Sequence, residues 1–249
     1  MGRLDNKVAL VTGAGSGFGE GIARKFVEEG ARVMIADISD DAGAKVAESL
    51  GEAARFVHMD VSRDADMAAG IKAAVDSFGR LDILVNNAGY THRNAPMLEV
   101  TEEEFDRIFA VNVKSVYLGA RHAVPLFRAQ GGGVILNIAS TAGLRPRPGL
   151  TWYNGSKGAV ITLTKSMAVE LAPDAIRVCA LNPVAGETGM LHLFMGEDTP
   201  ERRALFQSSI PLGRFSQPRD IANAALFLCS DEAEFLTGVC MEVDGGRCI

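Results

Sequence analysis

Tyr153 and Lys157 stand four residues apart. Four residues is about one helical turn, so on a helix the phenol and the ammonium share a face. A nearby cation lowers a phenol's pKa and lets it exchange a proton near neutral pH. Far upstream, the turn Thr12-Gly13-Ala14-Gly15-Ser16-Gly17-Phe18-Gly19 follows a short apolar run and opens a helical pattern. Strand, glycine turn and helix in that order present backbone N–H groups to a dinucleotide pyrophosphate. A proton-transferring tyrosine on a chain with a dinucleotide site points to hydride chemistry at a carbonyl or alcohol carbon.

The glycines do not follow G-x-G-x-x-G, because Phe18, Glu20 and Ile22 occupy the third-glycine positions. Gly13, Gly17 and Gly19 instead give G-x-x-x-G-x-G. The physical demands are similar: a tight turn, close approach of backbone to phosphate, and close packing of helix on strand. Asp37 follows at the end of the second apolar run. A carboxylate there accepts hydrogen bonds from the adenosine ribose hydroxyls and repels a 2′-phosphate. Neither Ile38 nor Ser16 offers a cation for such a phosphate, so the expected cofactor is NAD rather than NADP.

To place these groups the chain must alternate strand and helix. Strand patterns cover residues 8–11, 32–36, 55–58, 83–85, 133–138, 176–180 and 239–243. Most are nearly continuous in Val and Ile, as strands buried on both faces should be. Helical patterns cover 18–29, 41–50, 64–78, 102–127, 153–171 and 218–229, the fourth readable as two helices joined with little interruption. Thr101 with Glu104 forms a capping box, and Pro218 suits a first helical position. This alternation predicts an α/β fold: one Rossmann-type, doubly wound parallel sheet of about seven strands with helices on both faces, a single domain over residues 1–249. Residues 184–199 read as a long irregular loop. Its cluster Met190, Leu191, Leu193, Phe194 and Met195 is too apolar for a solvated loop and predicts a mobile lid over a substrate.

The chain has 249 residues, 47% of them hydrophobic, and a net charge of −6. An acidic balance excludes an electrostatic nucleic-acid footprint and a polybasic membrane anchor. No apolar stretch approaches a membrane span, and the start lacks a signal-type apolar region, which predicts a cytoplasmic protein. Cys179, Cys229, Cys240 and Cys248 form no C-x-x-C pair and read as reduced thiols, with only Cys248 expected to be exposed. The four histidines have no metal-ligand spacing, so no metal site is expected.

Thr12–Gly19, Asn86-Asn87-Ala88-Gly89, Asn112, Ser140, Tyr153-Asn154-Gly155-Ser156-Lys157, Asn182-Pro183 and Val243-Asp244-Gly245-Gly246 occur in this order. Together they resemble the short-chain dehydrogenase/reductase family, in its single-domain NAD(P)-dependent branch, similar to 3-oxoacyl-carrier-protein reductases and glucose dehydrogenases. The resemblance spans nearly the whole chain. It implies Tyr153 as general acid/base, and Lys157 lowering the phenol's pKa and holding the nicotinamide ribose. Ser140 would hydrogen-bond the substrate oxygen, and Asn112 would hold a water linking Lys157 to solvent. For the cofactor it implies Gly13, Ser16, Gly17, Phe18 and Gly19 at the pyrophosphate, and Asp37 with Ile38 at the ribose. Asp60 and Val61 would flank the adenine, Asn87, Ala88 and Gly89 would end the fourth strand beside the cofactor, and Thr188 would meet the carboxamide side of the nicotinamide or the pyrophosphate, with Pro183 also at the cofactor. It also implies a homotetramer paired through the helices of 102–127 and 153–171, with the segment from 239 as a further contact.

The sequence departs from the family pattern at Asn154-Gly155 inside the Tyr–Lys turn, at Val184 where Gly is usual, and at Cys179 where Asn is frequent. None removes a catalytic group. Candidate pocket residues are His92, Arg93, Arg145, Arg147, Trp152, Met190, Leu193 and Phe194, with the arginines able to pair with an anionic substrate group. The expected activity is NAD(H)-dependent interconversion of a secondary alcohol and a ketone. Alternatives are a 3-oxoacyl-thioester reductase specifically, a non-catalytic NAD-binding redox sensor, and a nucleotide-sugar epimerase or dehydratase. The last normally needs a longer C-terminal substrate region than the roughly sixty residues that follow Val184.

Overall fold

Seven parallel strands form one sheet in the order β3-β2-β1-β4-β5-β6-β7 in a computed structural model that describes residues 2–249. The strands are β1 (Val8–Thr12), β2 (Arg32–Asp37), β3 (Ala54–His58), β4 (Ile83–Asn86), β5 (Gly133–Ile138), β6 (Ile176–Pro183) and β7 (Cys240–Val243). All seven expected strands are present. β6 runs through Pro183, beyond the expected end at 180, because Asn182 and Pro183 still pair with Glu242 and Val243 of β7.

The strand sequences split cleanly between two cores, since successive side chains point to opposite faces. Ala9, Val11, Val33, Ile35, Ile83 and Val85 face one cluster, which α1 (Gly17–Glu28) and α9 (Pro218–Cys229) close with Ile22, Phe26, Ile221 and Leu226. Val8, Leu10, Met34 and Leu84 face the other, closed by Met67 and Ile71 of α3 (Asp64–Phe78) and Leu118 and Phe127 of α5 (Ser115–Gln130). Burial on both faces explains why the strands read as unbroken apolar runs. α2 (Asp40–Leu50) starts on Ser39, whose hydroxyl accepts from the Ala42 N–H.

The region 102–127 resolves into α4 (Glu102–Phe109), a π-helical turn (Ala110–Lys114) and α5. The Thr101–Glu104 capping box is formed in both directions. α6 (Thr151–Leu171) carries Tyr153 and Lys157. The stretch 184–199 is not irregular throughout. It contains α7 (Leu191–Met195), and an unforeseen helix, α8 (Pro200–Ser208), follows with Pro200 in its first turn and Thr199 as its cap. Val184, Leu191, Met195, Ile210 and Phe215 make a small core of their own. The segment therefore has apolar surface to rest on without a ligand. Cys248 is half-buried rather than exposed, its N–H held by the Asp244 carboxylate at 2.7 Å.

Successive strands are added outward in one direction from β1 and in the other from β4, so the C-terminal ends of these two parallel strands open a crevice where open α/β sheets bind ligands. Phe26, fully buried between α1 and the sheet, should be a main support of that geometry. Phe26→Ala is expected to lower unfolding free energy by about 3–5 kcal/mol, measured by urea denaturation. A loss below about 1 kcal/mol would show that this core does not hold the crevice wall.

Candidate active site

The crevice is a cleft of about 460 Å³. It is lined by Gly13, Ser16, Gly17, Phe18, Asp37, Ile38, Asp60, Val61, Asn87, Ala88, Gly89, Pro183 and Thr188, and by Ser140, Tyr153 and Lys157. Residues spread over most of the chain thus meet in one space. Gly19 and Asn112 are the two expected site residues that stand behind the wall.

The glycine turn is shaped by close backbone approach. Gly13 has φ of 62°, and a Cβ there would come within 2.9 Å of the Ala88 Cα. A Cβ on Gly19 would overlap the Gly13 carbonyl and the Asn87 amide. Asn87 locks the crossing by donating from Nδ2 to the carbonyls of Thr12 (2.8 Å) and Gly13 (3.1 Å). The side chain of Ser16, the N-cap of α1, makes no capping bond, so first-turn N–H groups of α1 are left for a ligand. A phosphate suits these donors by charge and by the helix dipole. Asp37 accepts from the N–H groups of Gly15 (2.8 Å) and Ser39 (2.9 Å), which fixes its carboxylate at the cleft while leaving acceptor capacity. This donor and acceptor set fits a dinucleotide.

At the other end of the cleft, α6 presents Tyr153 and Lys157. Lys157 Nζ donates to the Ile138 carbonyl (2.8 Å) and lies 5.8 Å from the centre of the Tyr153 ring. Ser140 Oγ accepts from the Ala142 N–H at 3.1 Å and donates to the Pro183 carbonyl at 3.5 Å. Burial pushes the Tyr153 phenol up to about 12, and the hydrogen bond from Ser140 offsets part of that rise. Burial pushes Lys157 down to about 8. The sequence expectation was the opposite for tyrosine, an ammonium one turn away holding the phenol low. Removal of the phenol from water is the largest influence on it here, and the Lys157 ammonium is turned to a backbone carbonyl.

Asn112 is 3% exposed and its amide is committed to protein partners. Nδ2 donates to the Tyr90 carbonyl and to Ser156 Oγ, both at 2.9 Å, and Oδ1 accepts from the Tyr90 N–H at 2.8 Å. Both amide hydrogens are therefore used within the protein. The π-helical turn sets it at this junction, and Ser156 passes the contact on by donating to the Tyr153 carbonyl at 2.7 Å.

Of the pocket candidates, Arg147, Met190 and Phe194 line the cleft, and Phe194 packs on the Tyr153 ring at 5.2 Å. The others do not line it. His92 is buried against the Arg93 carbonyl, Arg93 binds the Gly196 carbonyl, and Arg145 binds the carbonyls of Arg247 and Ile249. Trp152 donates to the Met97 carbonyl and meets Phe105 edge-on, while Leu193 offers its carbonyl to the Asn94 N–H. Leu150 and Phe206 line the cleft without having been foreseen. Phe206 lies on α8, whose few apolar residues give little helical signal in the sequence.

A family model described as Enoyl-(Acyl carrier protein) reductase matches residues 13–247. The chain is 54% identical to a 4-formylbenzenesulfonate dehydrogenase of Comamonas testosteroni over 98% of both chains. It is 40% identical to a 3-oxoacyl-[acyl-carrier-protein] reductase of Thermotoga maritima, over 99% of this chain and all of that one. A crystal structure of a 3-ketoacyl-(acyl-carrier-protein) reductase from Brucella melitensis complexed with NADH superposes with a TM-score of 0.94 at 51% identity, over 99% of this chain and 100% of that one. With its parallel sheet, glycine turn and Tyr–Lys pair, the chain belongs to the short-chain dehydrogenase/reductase family and is a nicotinamide-dependent oxidoreductase acting on small molecules.

Proposed function

We propose that this enzyme interconverts a secondary alcohol and a ketone with NAD(H), using Tyr153 as general acid/base. The observation that carries the reading is the shared cleft: Ser140, Tyr153 and Lys157 line the same space as Asp37 and the glycine turn. The bound nicotinamide supplies the hydride acceptor or donor. Gly13, Gly17 and the first turn of α1 hold its pyrophosphate, and Asp37 receives the ribose hydroxyls. Ser140 orients the substrate oxygen toward the Tyr153 hydroxyl, which gives a proton to that oxygen on reduction and takes it back on oxidation. With its phenol pushed up to about 12, Tyr153 holds the proton that reduction consumes. Lys157 supplies positive charge behind the phenol, and Phe194 covers it from water.

A 3-oxoacyl-thioester reductase is the second reading, supported by the 51% identity to the Brucella melitensis protein. Comparing free ketones with a 3-oxoacyl thioester separates the two.

Tyr153→Phe should leave NADH binding nearly intact and lower turnover by roughly 10²–10⁴-fold. Nicotinamide absorbance measures turnover and fluorescence titration measures binding. A variant within a factor of two of the parent's turnover would remove Tyr153 from the chemistry.

Cofactor choice should follow Asp37. The carboxylate faces the cleft and its neighbour Ile38 is an exposed aliphatic side chain, which favours NAD(H) over NADP(H). The ratio of kcat/KM for the two cofactors should exceed ten in the parent and fall in Asp37→Ser, by loss of a charge-assisted hydrogen bond worth about 1.5–3 kcal/mol. Equal efficiency in the parent would contradict the assignment.

Assembly is proposed to be a homotetramer. Val169 on α6 is 80% exposed, and Phe235 and Ile249 are 99% and 100% exposed, apolar surface that subunit contacts would cover. Light scattering at micromolar concentration should give four times the chain mass. A monomer would count against it.

A further inference from the structure

The cleft has an end that proton and hydride transfer do not use. Arg147 reaches into it, with its guanidinium 4.3 Å over the Phe206 ring and one nitrogen donating to Ser209 Oγ at 3.1 Å. No carboxylate among the described residues pairs with it. Arg247 and Arg145, positive like Arg147 itself, act on it from nearby and outweigh the opposite effect of Cys248. Arg247 is 8% exposed, and its Nε and Nη1 are buried without any hydrogen-bond partner. Positive charge thus gathers around Arg147, with the Asp244 carboxylate acting on Arg247 rather than on Arg147. A half-buried guanidinium without a counter-charge is matched to an anion that arrives from outside.

The position of the cation is set relative to the reacting group. Asn154, the residue after Tyr153, donates from Nδ2 to the Arg147 carbonyl at 2.8 Å. The loop bearing the cation is therefore pinned to the helix bearing the phenol, by one of the side chains that departs from the family pattern. Leu150, Met190, Phe194 and Phe206 line the same cleft and supply its apolar surface. We infer that the substrate carries an anionic group, a carboxylate or sulfonate, bound by Arg147 and separated from the reacting carbon by a flat apolar body such as an arene. This rests on the alcohol–ketone reading above and narrows it to a substrate class. Arg147 is the specificity residue, and Asn154 is its positioning residue.

The test uses the full-length enzyme with NADH and four ketones: acetophenone, 4-methylacetophenone, 4-acetylbenzoate and 4-acetylbenzenesulfonate. The anionic pair should exceed the neutral pair at least tenfold in kcat/KM, with the difference in KM. In Arg147→Met that ratio should fall at least tenfold, and Arg147→Lys should restore part of it, since it keeps the charge but not the planar fork. A binding readout is independent of turnover: benzenesulfonate should bind the enzyme–NADH complex, followed by nicotinamide fluorescence, at least tenfold more tightly than the neutral benzenesulfonamide. If the parent enzyme reduces charged and neutral ketones equally and binds the two sulfonyl compounds equally, the anion subsite is overturned while the oxidoreductase reading stands. If benzenesulfonate binds selectively but no ketone is reduced, the subsite is supported and the reaction assigned above is what fails. Both readouts apply to the parent enzyme, so they decide the question even where Arg147→Met does not fold.

Discussion

A single buried amide fixes where the chemistry happens. Asn112 holds both backbone groups of Tyr90 after β4 and, through Ser156, the first turn of α6. Three elements remote in sequence are clamped at one point: the end of a central strand, the bend between α4 and α5, and the helix carrying Tyr153 and Lys157. The bond to Ser156 is buried and those to Tyr90 are partly so, and losing the first would leave a polar group unpaired at a cost of about 1–3 kcal/mol. A regular α-helix turns about 100° per residue, and the wider π-helical turn changes which side chain meets the strand end. The irregularity in the helix is therefore what brings Asn112 to the junction.

The cleft's two halves are built by opposite means. The cofactor half relies on missing side chains: Gly13 and Gly19 let a turn and a strand end touch, and Asn87 ties them together. The substrate half relies on large side chains brought by late elements, with Phe194 on α7 and Phe206 on α8 leaning over Tyr153 and Arg147. Backbone donors in the first half suit any dinucleotide. Side chains in the second set its shape and charge.

The same division explains what could be read from the sequence. The strands announced themselves because burial on both faces demands continuous apolar runs, and the glycine turn and Asp37 because their conformational and charge requirements are local. That the 16 candidate site residues would share one cleft was legible for that reason, together with the ordered motifs of the family. Other features depend on partners far along the chain. Arg145 and Arg147 are two residues apart and chemically identical, yet one ties down the C-terminal carbonyls and the other enters the cleft. The spacing of Tyr153 and Lys157 gave their shared helix face but not the state of the phenol, because depth of burial is a property of the whole fold. α8 escaped notice because its sequence has almost no apolar periodicity, being held by its cap and by Phe206 rather than by a buried stripe.

α7 is barely more than one helical turn, and its neighbouring side chains serve two masters. Leu191 and Met195 are sealed into the small core with Ile210 and Phe215, while Met190 and Phe194, also four apart, look into the cleft. Exchange at the second pair would alter the shape of the substrate chamber without touching the anchor formed by the first. Local stability and cleft shape are thus carried by separate side chains of one short turn, so either can change while the other stays fixed.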